Sequence, residues 1–177
     1  MKFSEDILKE FNLEPNEERL PVNIMQISEM LEFLKTCADR IVQKSEKYMK
    51  TTDADVQWDC IDIVTVKLND FVQVFKDLVI FMRKEEGTYT VGTSLRCCMN
   101  SYDTFEFQQT EEEKIFLREL LLRNEITHDY FNREMHQQKL IWIMKNCSGG
   151  ALDVYNNIAV YCKEHGLLEK YANKNVQ

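Results

Sequence analysis

The sequence predicts an all-α protein, an antiparallel and mostly up-and-down bundle of four to five helices. Apolar residues recur at alternating steps of three and four over two long stretches, the period of a helix with one buried face. Glycine and proline are scarce, five and two among 177 residues, which leaves little material for hairpins or long loops. Capping residues and one glycine stop punctuate the periodic stretches where helices should begin and end.

Residues 1–22 read as an arm. Ser4 caps a short helix carrying Ile7, Leu8 and Phe11, and "EPNEERLPVN" then supplies both prolines and a turn. The bundle is expected over residues 23–166. Its first helix carries Ile24, Ile27, Leu31, Leu34, Ala38, Ile41 and Tyr48, with polar Ser45 in the same frame. The hinge "KTTDAD" places Thr52 and Asp55 at capping-box spacing, with aspartate in place of the usual glutamate. A second helix runs to about residue 84 on a stripe of Trp58, Ile61, Val64, Leu68, Phe71, Phe75, Leu78 and Met82. Ile63, Val74 and Phe81 widen it enough to suggest more than one neighbour, with a dimer face as the second reading.

"EEGTYTVGT" reads as a turn, since two glycines five apart without a following Lys-Ser/Thr make no phosphate loop. Thr93 or Ser94 then starts a short helix through Tyr102. Thr110-Glu111-Glu112-Glu113 is an S/T-x-x-E capping box, and its helix carries Phe116, Leu117, Leu120 and Leu121. Asn132 is placed to cap the last helix, whose frame of Leu140, Met144, Cys147, Ala151, Val154, Ile158 and Tyr161 crosses Gly149-Gly150 in phase. One long helix with a kink is the reading. Lys163, His165 and Gly166 form its stop, and residues 167–177 read as a frayed tail.

Composition excludes several classes. Apolar residues make up 44% and charged residues 29%, as in an ordinary folded domain. No apolar run approaches the roughly 18 residues of a membrane span, and the start turns acidic too early for a signal peptide, so a cytoplasmic protein is expected. The net charge of −8 argues against broad nucleic-acid binding while leaving room for a local RNA site. The six cysteines show no C-x-x-C pair and mostly fall at apolar-periodic positions, which makes them small core residues.

Chemistry concentrates in "LLRNEITHDY", residues 121–130. Arg123 offers a fixed fork for phosphate, His128 a proton carrier near neutral pH, and Tyr130 a hydroxyl; Asn124 adds an amide. On a straight helix Arg123 and Tyr130 share a face, whereas His128 sits about 140° from Arg123. A break near residues 124–127, or a second protomer, is needed to bring them together. The bland alternative pairs Arg123 with an acid and leaves His128 at a helix end. Glu125-x-x-His128 is half of a di-metal carboxylate motif, but no second half exists, so neither metal nor cofactor is expected. His136 reads as part of a solvated face and His165 as a helix-end cation.

"RNEITHDY" is an R-N-x-x-x-H-x-Y string, and in this it resembles HEPN domains of the HepT-like kind, which include small nucleotidyltransferase substrate-binding proteins. The helix order is similar too, over about residues 24–165. The resemblance implies a bundle that dimerises to bring two motifs into one cleft. In catalytic members that cleft is a metal-independent ribonuclease, the toxin of a pair whose antitoxin is a minimal nucleotidyltransferase. Carried over, Arg123 holds the scissile phosphate, His128 serves as general base or acid, Asn124 orients, and Tyr130 is the hydroxyl a partner adenylylates. The alternative is a non-catalytic subunit that binds the nucleotidyltransferase or its nucleotide; a plain structural bundle is the third reading. Glu125 and Asp129 inside the motif depart from what RNA binding favours.

Overall fold

The computed structural model describes residues 27–87, 92–126 and 133–168; the predicted arm, residues 169–177 of the tail, and the caps at Ser4 and Asn132 lie outside them. Leu167, read as the start of a frayed tail, is instead buried in the core, with Leu168 packed against that core. The described residues form six helices and no strand: α1 (Ile27–Lys50), α2 (Ala54–Glu85), α3 (Leu95–Asp103), α4 (Glu111–Ile126), α5 (Arg133–Asn146) and α6 (Gly150–Glu164). None of them is long and apolar enough to cross a membrane.

The α1–α2 pair is the largest contact in the fold. Three residues join the two helices, which sends the chain back antiparallel, and α1 then also receives α5 and α6 on its other flank. The fourth side is α4, packed on α5 and α6 and meeting α2 through Phe71 and Phe116, whose rings stand edge to face at 5.5 Å. Leu34, Ile41, Val64, Leu68, Phe75, Leu120, Ile143, Met144, Val154 and Ile158 are wholly buried at the centre. Five cysteines are buried there as predicted and Cys97 is exposed; none is in a disulfide. Ser45 keeps its place in the buried stripe by donating its hydroxyl to the carbonyl of Ile41 at 2.7 Å.

The helix starts depart from prediction in instructive ways. The cap of α2 is Asp53, which accepts from the amides of Asp55 and Val56, while Thr51 Oγ1 accepts from the amide of Asp53. A carboxylate is the better acceptor at the positive end of a helix dipole, so the cap falls one residue after Thr52. Trp58, placed by its spacing in the α2 stripe, is instead 55% exposed, because the first turns of α2 are not covered on that side. Ser94 caps α3 as expected.

Thr110 accepts from the amide of Glu113, but only half the capping box forms. The Glu113 carboxylate turns inward instead, accepting from Tyr102 Oη at 2.6 Å and from Asn157 Nδ2 at 2.9 Å. Burial pushes this carboxyl above its ordinary range, against the pull of those two hydrogen bonds.

The last helix is two helices rather than one. Between α5 and α6 the ladder tightens to three-residue steps, with the Gly150 amide bonding Cys147 O and the Leu152 amide bonding Gly149 O. The reason is contact with α4: a Cβ on Gly150 would lie 2.5 Å from Phe116 Cβ and 2.8 Å from the carbonyl of Glu112. The glycine pair therefore serves close backbone approach, and Glu112 completes the junction by accepting from the Gly149 amide at 2.9 Å. The predicted stop holds: Gly166 adopts φ +63°, and the backbone turns out of α6 there.

Candidate functional site

Arg123 is the largest side chain in the fully buried set, only 2% exposed, on the last turn of α4. A helix that starts with three acids and ends in arginine is matched to its own dipole, which explains the placement locally. It does not explain the burial. Arg123 Nη1 donates to Asn69 Oδ1 on α2 at 3.1 Å, while Nε and Nη2 are buried with no hydrogen-bond partner. The acid that would neutralise it in the bland reading is not found among the described residues. Desolvation alone pulls its pKa down from 12.5 to about 10.

His136, read from the sequence as part of a solvated face, is instead half-buried on the first turns of α5, with Nε2 also buried and partnerless. Burial and then the charge of Arg123 lower its pKa below the ordinary histidine range, so it is neutral at physiological pH. Alternation alone could not reveal it: Met135, one residue before, is exposed, and α5 has almost no amphipathic asymmetry. Asn69 was equally silent in the sequence, lying at an exposed position of a broad apolar helix. Both are found only through the unfilled valence of Arg123.

Of the motif residues, Asn124 is half-buried beside Arg123, and His128 and Tyr130 lie outside the described residues. One turn back on α4, buried Glu119 bonds Lys139 of α5 and Arg118. Burial alone would raise its pKa, but these two cations outweigh that and hold it below its ordinary value. The pair fixes α5 against α4 just before the Arg123 turn.

An open groove of about 700 Å³ lies toward the opposite end of the bundle. Phe105, Phe107, Tyr161 and His165 line it together with Glu86 and Glu106. Three of its side chains engage one another: Tyr161 Oη donates to Glu86 at 2.9 Å, and His165 stacks on Tyr161 with ring centres 3.9 Å apart. Glu113, at the same end of α4, is ten residues from Arg123, roughly 15 Å along the axis. Among the described residues no group of three His, Cys, Asp or Glu side chains could hold a metal ion.

No protein-family model matches the chain, and no match is found among curated proteins or solved structures.

Proposed function

We propose that the protein is a HepT-like, metal-independent ribonuclease, the toxin of a pair held in check by a minimal nucleotidyltransferase. One observation carries the reading. The arginine that opens the R-N-x-x-x-H-x-Y string is buried with two nitrogens unpartnered, as an anion receptor is and a structural arginine is not. Asn69 fixes the fork from α2, so the guanidinium is oriented before substrate arrives.

In the proposed reaction Arg123 holds the scissile phosphate and offsets the charge that builds on its oxygens. His128 takes the proton from the ribose 2′-hydroxyl; that oxygen attacks phosphorus, the bond to the 5′-oxygen breaks to leave a 2′,3′-cyclic phosphate, and the departing 5′-oxygen takes a proton from water. Asn124 orients the substrate. A C2 dimer would supply two such motifs. Trp58 and Val66, both more than half exposed on the same side of α2 as Asn69, offer the apolar surface for it. Tyr130 is the hydroxyl at which the partner would silence the toxin by adenylylation.

The test is cleavage of RNA by the purified protein with and without chelator. Both conditions should give the same rate, and His128→Ala should lower it by about 10²-fold or more. Depth of burial favours a second reading, in which a subunit without nuclease activity uses the same site for the phosphate of a nucleotide. Wild type that cleaves no RNA yet binds a nucleotidyltransferase would establish that reading instead.

A further inference from the structure

We infer that His136 belongs to the anion site, and that Arg123, His136 and Asn69 together form a pocket for one tetrahedral oxyanion, the phosphate of a substrate. The inference rests on Arg123 being the anion-holding group and adds a residue outside the R-N-x-x-x-H-x-Y string.

The guanidinium is planar, and its Nε–H and one Nη2–H run parallel along one edge. That edge matches two oxygens of a phosphate. Asn69 takes Nη1, on the other side of the fork, so the two unpartnered nitrogens, Nε and Nη2, are the ones that form the bidentate edge. A buried guanidinium normally fills that edge with a carboxylate. Here no described residue supplies one.

His136 completes the set. Its Nε2 is buried without a partner, and among the described residues Arg123 is the one charged group that acts on its protonation. A neutral imidazole carrying its proton on Nε2 donates a third hydrogen bond without adding a second full charge to the buried site. Two N–H groups from arginine and one from histidine suit a phosphate, which offers three or more oxygens, better than a carboxylate, which offers two. Of the three, Asn69 on α2 is exposed and His136 on α5 half-exposed, whereas Arg123 is buried.

The chain has three histidines, so proton–carbon NMR of the imidazoles resolves each one, with His136 assigned by its disappearance in His136→Gln. Inorganic phosphate at millimolar concentration and constant ionic strength should move the His136 signal and leave His165 in place. Sulfate should do the same and acetate should not. Arg123→Met should abolish the response. Asn69→Asp should weaken phosphate binding by about tenfold or more, because it delivers a carboxylate to Arg123 from within the fold. A folded wild type whose His136 signal ignores phosphate overturns the pocket, as does a response that survives Arg123→Met. Phosphate response without RNA cleavage would refute the ribonuclease and leave the pocket standing; cleavage with a silent His136 would do the reverse.

Discussion

Arg123→Met should stabilise the fold while destroying its function. The guanidinium drops from 12.5 to about 10 by desolvation alone, and at about 1.4 kcal/mol per pKa unit this is a penalty of about 3 kcal/mol in the folded state at neutral pH. The one hydrogen bond to Asn69 returns about 1.5 kcal/mol or more, and methionine forfeits it. Methionine follows much of the arginine stem and needs no partners, so packing changes little. The balance is a gain of about 1–2 kcal/mol, or roughly 2–8 °C in melting temperature for a chain of this size. Thermal unfolding followed by far-ultraviolet circular dichroism, in phosphate-free buffer, measures it. Added phosphate should raise the melting temperature of wild type by ligand linkage and leave the variant unmoved. A variant that melts several degrees lower than wild type would refute the reasoning, because the arginine would then be satisfied and structural.

Gly150→Ala should destabilise by about 2–3 kcal/mol, since overpacking against Phe116 and the Glu112 carbonyl outweighs the better helix propensity of alanine, and chemical denaturation will show it. Glu113→Gln should change how stability depends on pH. The folded carboxyl is raised above its unfolded value, so wild type holds its advantage below the unfolded value near pH 4.5 and loses it as pH rises through the folded one. The glutamine variant should therefore gain on wild type across that window in melts taken at successive pH values. Lys139→Met strands Glu119 with Arg118, which is largely exposed, as its remaining partner, and should cost about 2–3 kcal/mol in the same denaturation assay. Tyr130→Phe should block any adenylate mass gained on incubation with the cognate nucleotidyltransferase and ATP, as read by intact-mass spectrometry.

Periodicity carried the architecture because burial in a helical bundle is what periodicity records. The stripes from Ile27 to Ile41 and from Ile61 to Met82 are buried where the steps of three and four place them. It failed where one face does not meet a neighbour, as at Trp58, and where backbone contact overrides the frame, as at Gly149-Gly150. Glu113 shows a different limit. Its spacing from Thr110 is that of a capping box, yet Tyr102 and Asn157, 11 and 44 residues away, compete for the same carboxylate and win it. Arg123 stood out by its residue type and neighbours, but its burial with two unpartnered nitrogens did not. His136 did not stand out at all, because what marks it is an unsatisfied nitrogen within the electrostatic reach of a buried charge, and that exists only once α4 and α5 are folded together.

The cysteines give the chain a single chemical handle. Burial pushes the thiols of Cys37 and Cys98 up to about 11 and those of Cys147 and Cys162 up to about 12, so at neutral pH the reactive thiolate is almost absent from all four. Cys60 is enclosed as well, and Cys97 alone faces solvent. A maleimide dye should therefore attach once per native chain, at the start of α3, and at the remaining five positions only as the bundle opens. The rate of that later labelling becomes a clock for global opening, read without any substitution in the sequence.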